Sequence, residues 1–331
     1  MKNYKVSFIR SSYQRFFQQH KKELLEAIEK CLSNGDLILG DEVDKFESNF
    51  AEFVGTKYCV ALNSGTDALV FALKAAWVGS SRWSVSVPSY TFKATAGAVK
   101  TAAYDATIDF YDLDNLPNDP DVTIVAHIAG ELYPIPQTGI VIEDAAQALG
   151  AVKTPTTFAQ TWSFYPAKIL GAYGDAGALT TNNKEVYEYV REARDHCKKY
   201  NKEFGTNSRM DNIQAAILNV KMRYLPKFLA RRTEIANLYH QGLMSIPIHL
   251  PIPKISRVWQ DYIIQTNRRN ALFTFLKEKG IETIKNEYPM PIAKLPKAAK
   301  YESETLRLPC NPELTDKEIQ YVIKQIKEFC A

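Results

Sequence analysis

Apolar residues recur every three to four positions through residues 18–33, where Leu24, Leu25, Ile28 and Leu32 share one face. They do so again through 41–53, with Val43, Phe46, Phe50 and Phe53. That spacing predicts two amphipathic helices. Then the period changes. KYCVAL (57–62) reads as a buried strand, and NSGTDALVFALKAAWV as a turn leading into an amphipathic helix. WSVSVP is a strand ending at Pro88, TFKATAGAVKTA a helix, and VTIVAH (122–127) and GIVIED (139–144) are continuous β-branched runs closed by polar residues. TWSFY and GALTT add two short strands, and helices follow over 183–196, 209–224 and a run to 243 interrupted at Pro226. The proline-punctuated stretch IPIHLPIPK marks a domain boundary. It separates a large domain over 1–245, opening with a helical segment, from a small α/β domain over 246–331. In the small domain VWQDYIIQT is a strand, 268–279 a helix, and a last helix buries Ile319, Val322, Ile323 and Ile326.

Strands alternating with helices predict an α/β fold whose mostly parallel sheet is covered on both faces. Ligands of such sheets bind at the carboxyl ends of the strands. Pro88, His127, Asp144, Ser163 and the turn after Leu62 all fall at strand ends.

The 331 residues suffice for one large and one small domain, and 46% apolar with 24% charged residues is ordinary for a globular chain. A net charge of +4 and scattered basic pairs (Lys198-Lys199, Arg231-Arg232, Arg268-Arg269), without interleaved aromatics, argue against a nucleic-acid groove. A mild positive excess suits a phosphorylated small molecule. The five cysteines are far apart with no C-x-x-C pair, which argues against a disulfide framework or a metal site and fits a reducing, cytoplasmic setting. No apolar run is long enough to span a bilayer.

The stretch SFYPAKILGAYGDAG (163–177) places Lys168 among aromatic, aliphatic and small residues, with Gly171, Gly174 and Gly177 at intervals of three. A lysine so placed is either a loop lysine or one kept dry enough to form a Schiff base. The glycines would let the backbone approach a ligand or a partner closely. Asp144 either caps a helix in DAAQAL or pairs with a ring nitrogen of a cofactor, and Gln147 shares its face. Gly65 and Thr66 stand at a helix N-terminus, which favours a phosphate as readily as a plain capping turn, and the Ser163 hydroxyl could reach the same phosphate. Phe92, in PSYTF, either stacks on a flat ring or packs in the core.

The segments ILGDEVDKFE, FVGTKYCVALNSGTDAL, VPSYTFKAT, VIEDAAQALGA, SFYPAKILGAYGDAGALTTN, NSRMDNIQAAIL and LPCNPELTD, in that order over nearly the whole chain, resemble one family. It is the DegT/DnrJ/StrS group of fold-type I pyridoxal phosphate enzymes, which aminate nucleotide-linked keto sugars. The resemblance implies the aspartate aminotransferase-like fold of pyridoxal-phosphate-dependent transferases. It implies that Lys168 forms the Schiff base with pyridoxal 5'-phosphate and shuttles the proton, and that Asp144 pairs with the pyridine nitrogen. Gln147 would contact the ring hydroxyl, Gly65, Thr66 and Ser163 would hold the phosphate, and Phe92 would stack on the ring. Asn207 would reach the phosphate of a neighbouring subunit, making a homodimer with shared sites, and Arg209 would lie near a substrate or donor carboxylate. The implied reaction moves an amino group from L-glutamate to a nucleotide-linked keto sugar, at C3 ahead of C4. NEYPMP puts Glu287 where the family commonly has histidine, and the segments around 105–140 and before Ser163 are short for the family. Two alternatives remain: a sugar dehydratase on the same scaffold, against which Lys168 speaks, and a cofactor-free binding dimer, which the short 105–160 region motivates.

Overall fold

The computed structural model describes residues 4–77, 83–113, 115–116, 120–151, 157–198, 205–254, 256–285, 288 and 295–331. Two helices, α1 (Arg10–Asn34) and α2 (Asp41–Val54), lead into β1 (Tyr58–Leu62), α3 (Gly65–Ala76), β2 (Ser84–Pro88), α4 (Lys93–Ala102) and β3 (Thr107–Tyr111). The strands β4 (Val122–Ala126), β5 (Ile140–Asp144), β6 (Ala159–Ser163) and β7 (Gly177–Thr181) follow, then α5 (Lys184–Ala193), α6 (Asn212–Met222) and α7 (Leu225–Leu243). The last part holds β8 (Tyr262–Gln265), α8 (Arg269–Glu278), β9 (Ile284–Lys285), α9 (Pro296–Glu304), β10 (Thr305–Leu308) and α10 (Asp316–Cys330).

Seven strands form one sheet in the order β1-β7-β6-β5-β4-β2-β3. β7 runs antiparallel to both neighbours and the other pairings are parallel. All five residues of β4 are buried, as a strand covered on both faces requires. The pleat sends alternate residues of β1 to different cores. Cys59 and Ala61 join Phe46, Phe50, Phe164 and Leu218 under α2 and α6, while Val60 and Leu62 join Leu69, Phe71, Ile124 and Val190 under α3 and α5. Arg194 pairs with Glu47 and also donates to Ala61 O at 2.8 Å, which ties α2 to β1 inside the core.

A second, antiparallel sheet has the order β8-β10-β9. Its core joins Tyr262, Ile264, Leu306 and Leu308 to Ile319, Val322, Ile323 and Ile326 of α10. It also takes Ile235, Tyr239 and Leu243 from α7, and Val6 from the start of the chain. This core therefore reaches across residue 246.

Several elements differ from the sequence expectation, and the small domain adds β9, α9 and β10 to the one strand and two helices read there. β3 is an edge strand whose residues are all exposed or half-buried, so TIDFY carries no continuous apolar run to betray it. α1 begins at Arg10 and is kinked at His20 (φ −117°, ψ 19°). DAAQAL is not a helix: Ala148 N–H donates to Ala145 O at 2.9 Å and Ala151 N–H to Ala148 O at 3.0 Å, two successive turns, the second containing Gly150 at φ +91°. Asp144 therefore caps no helix. Among the described residues no helix is long and apolar enough to cross a membrane.

Candidate active site

The parallel strands β2, β4, β5 and β6 all deliver their carboxyl ends to one cavity of about 300 Å³. Gly65, Thr66, Phe92, Asp144, Gln147, Ser163 and Lys168 line it together.

One end is built by the start of α3. Ser64 accepts a hydrogen bond from Asp67 N–H at 3.0 Å, and the first intrahelical bond runs from Ala68 N–H to Ser64 O at 3.1 Å. The N–H groups of Gly65 and Thr66 precede that bond, so the helix dipole and two donors meet the cavity. A Cβ on Gly65 would lie 2.8 Å from Ser163 Cβ, so glycine is what lets α3 start against the end of β6. Donors plus a hydroxyl at a helix N-terminus fit a phosphate.

At the end of β5, Asp144 Oδ2 accepts from Thr95 Oγ1 at 2.9 Å and Oδ1 from Ala146 N–H at 3.3 Å. Thr95 is in turn bonded to Thr91 at 2.8 Å. This fixed carboxylate suits a protonated ring nitrogen. Beneath it His127 and Glu143, each 2% exposed, are paired at 2.8 Å. His127 Nδ1 accepts from Tyr133 N–H at 3.2 Å, which assigns the other ring hydrogen to Nε2, facing Glu143. Burial pushes the Glu143 carboxyl up, but hydrogen bonds from His127, Thr157 and Gln160 outweigh it and hold the group below the usual range.

Lys168 is half-buried on the cavity wall. Burial lowers its ammonium from the usual lysine value, Asp144 and Asp261 pull the other way, and Arg307 adds to the lowering. Its loop is folded on itself by Phe164 N–H to Ala176 O and Ala172 N–H to Phe164 O, both 2.8 Å. Three side chains from distant elements then grip the backbone on either side. Gln260 brackets the lysine directly: its Oε1 accepts from Ile169 N–H at 3.0 Å and its Nε2 donates to Ala167 O at 2.8 Å. The Tyr13 hydroxyl donates to Pro166 O, and Lys221 Nζ donates to Gly171 O. A Cβ on Gly171 would stand 2.2 Å from Tyr13 Oη and 2.5 Å from Pro166 O. This glycine, like Gly177, serves close approach within the chain itself.

Lys221 lies in a box of rings, with Nζ 4.8 Å from the centroid of Tyr13, 5.4 Å from Phe16 and 5.3 Å from Tyr173. Burial, with Arg232 nearby, drives its ammonium down to about 7, against a partial pull from Glu313. Between that value and 10.5 the unfolded chain holds a proton that the folded protein has released, so stability from this group rises with pH across the window. Urea unfolding at pH 7 and pH 10 should show the wild type gaining on Lys221→Met, by at most about 1.4 kcal/mol per pH unit. A difference flat in pH would place the amine in water.

The cavity does not gather every residue expected of it. Asn207 and Arg209 lie outside its lining; Arg209 Nη1 pairs with Asp195 at 2.8 Å and its Nε donates to Asn207 Oδ1 at 3.1 Å. Glu287 lies outside the described residues. Phe92 is 56% exposed at the rim, which excludes core packing. Conversely, Arg307, Tyr288 and Gln260 line the cavity although the sequence reading gave none of them a role. Tyr288 stands in NEYPMP and Arg307 two residues before Pro309 of LPCNPELTD.

A sequence model of the DegT/DnrJ/EryC1/StrS aminotransferase family matches residues 18–131 and 136–327. The chain is 34% identical to a pleiotropic regulatory protein of Geobacillus stearothermophilus, covering 95% of this chain and 96% of that one. It is 32% identical to a dTDP-3-amino-3,4,6-trideoxy-alpha-D-glucose transaminase of Streptomyces venezuelae, covering 95% and 93%. Among solved structures, Streptomyces venezuelae DesV in complex with a ketimine intermediate superposes with a TM-score of 0.88 at 28% identity, covering 100% of this chain and 99% of that one.

Proposed function

The chain belongs to the DegT/DnrJ/EryC1/StrS aminotransferase family, and from that premise we propose that it moves the amino group of L-glutamate to C3 of a nucleotide-linked keto sugar. It is a pyridoxal-phosphate-dependent nucleotide-sugar aminotransferase. The observation that carries the site assignment is one cavity lined by a half-buried lysine, a fixed carboxylate and a helix N-terminus: Lys168, Asp144 and Gly65. When bound, pyridoxal phosphate supplies an aldehyde that condenses with amines and a ring that takes up electrons.

In this reading the Gly65 and Thr66 N–H groups and the Ser163 hydroxyl bind the phosphate. Asp144, oriented by Thr95, holds the ring-nitrogen proton. Gln147 Nε2, with two hydrogens, reaches the ring oxygen. The exposed ring of Phe92 covers the cofactor's open face. Lys168, its ammonium lowered by burial, takes and returns the proton at Nζ. Asn207 and Arg209 serve the cavity of a second copy, so the working unit is a homodimer. The preference for C3 rests on the 3-amino sugars in the names of relatives such as the Streptomyces venezuelae transaminase.

The test is the absorption spectrum of the purified protein before and after L-glutamate, followed by 3-keto and 4-keto nucleotide sugars. A visible band that glutamate bleaches and a 3-keto sugar restores is the expected result. Restoration by 4-keto sugars alone would move the reaction to C4, and indifference to glutamate would assign another donor.

A further inference from the structure

Arg307, on β10, lines the same cavity as Lys168 and Asp144. Its guanidinium is held from several sides. Nη2 pairs with Asp261 Oδ2 at 2.5 Å, Cζ sits 5.2 Å from the centroid of Phe8, and Nη1 donates to the phenol oxygen of Tyr288 at 3.3 Å. The side chains of Arg307 and Asp261 are 11% and 2% exposed. Apolar groups of similar volume often stabilise a core as well as a buried ion pair does. The placement of this pair in the wall of a ligand cavity therefore calls for a reason other than stability.

Tyr288 supplies one. Ala129 N–H donates to Gln147 Oε1 at 2.7 Å, which fixes the amide orientation and turns its NH₂ group toward Tyr288, 3.3 Å away. The Tyr288 oxygen thus accepts twice, from Gln147 Nε2 and from Arg307 Nη1. Both lone pairs are used, and among the described residues its own hydrogen has no acceptor, so it is left to donate to whatever occupies the cavity. The guanidinium and the phenol O–H together make a wall that donates and does not accept. A hydroxyl group, which must also donate, matches such a wall by half. A carboxylate, which only accepts, matches it fully.

We propose that Arg307 and Tyr288 form the carboxylate-recognition end of the cavity, with Asp261 as the residue that positions the guanidinium. One of the two exchanging substrates then presents a carboxylate there, either the amino donor's or that of an acidic keto sugar. This rests on the aminotransferase reading of the same cavity.

The probe is glutarate, a dicarboxylate without an amine, titrated into the cofactor-loaded protein by calorimetry. Arg307→Gln is expected to weaken it about tenfold or more, Tyr288→Phe by less, and Arg307→Lys, which keeps the charge without the fork, to recover part of the loss. The visible band should stay unchanged in all three. A rise in KM for L-glutamate alone, at constant kcat, assigns the carboxylate to the donor. A rise in KM for a keto-uronate but not for a neutral keto-hexose assigns it to the sugar. Wild-type glutarate binding in Arg307→Gln and Tyr288→Phe, with all KM values unmoved, overturns the proposal. Tyr288→Phe and Arg307→Lys leave Asp261 with its partner, so the test survives an Arg307→Gln chain that does not fold. A protein without a visible band would sink the aminotransferase reading, while calorimetry would still decide the carboxylate site.

Discussion

Replacing Lys168 by alanine is expected to lower turnover by about 10⁴-fold or more, the scale on which loss of a covalent catalytic group acts. Nζ is the amine that lines the cavity between the helix N-terminus of α3 and the carboxylate of Asp144, and no neighbour replaces it. Lys221, a lysine buried behind the same loop, is committed to Gly171 O. The variant should keep its unfolding midpoint or raise it, because a buried amine costs solvation that alanine does not. It should still bind pyridoxal phosphate through the phosphate cradle but lose the visible band of the lysine-bound form. Turnover within tenfold of wild type would mean that another group carries the chemistry.

The second large effect is expected from a single methyl group. Gly177 opens β7 opposite Leu62, the last residue of β1, and opposite Ser163, the last residue of β6. A Cβ there would stand 2.2 Å from the carbonyl carbon of Ser64 and 2.4 Å from the nitrogen of Gly65. Both are backbone atoms at the start of α3, so relief means moving the helix end proposed to hold the phosphate. Gly177→Ala should cost about 1–3 kcal/mol by overpacking, and should also shed cofactor during gel filtration. The control is Gly97→Ala in α4, where a Cβ would meet nothing within 4 Å. Removing a helical glycine there should stabilise by roughly 0.5–1 kcal/mol. A Gly177→Ala protein with native stability and full cofactor would show that the start of α3 has freedom the packing denies it.

Some parts of this architecture are written locally and others are not. The continuous runs VTIVAH and GIVIED declared buried strands, and their polar last residues declared a ligand end, because a parallel sheet places successive strand ends side by side. That is why Asp144, Ser163 and the turn before Gly65 could be grouped by their strand-end positions, while Lys168 and Gln147 joined them through the family resemblance; the cavity gathers all five. β3 escaped because an edge strand needs no apolar run. Arg307 escaped because its position depends on β10 pairing with β8 some forty residues away along the chain, which no local pattern encodes. Gln260 and Lys221 escaped for a similar reason. They act on main-chain atoms of a loop remote in sequence, so no motif links them to it. Asn207 and Arg209 form a set with Asp195 that a single chain does not bring to the cavity.

The grip on the lysine loop also bears on the order in which the molecule matures. Tyr13 and Pro166 are 153 residues apart, Lys221 and Gly171 are 50 apart, and Gln260 and Ile169 are 91 apart. The Lys221 and Gln260 contacts draw on residues made after β7. A chain emerging from the ribosome can therefore complete β1 to β7 while its lysine is still loose, since Gln260 has yet to be made. Competence to take up cofactor becomes a reporter of completed folding, and during refolding the visible colour should lag behind the recovery of secondary structure.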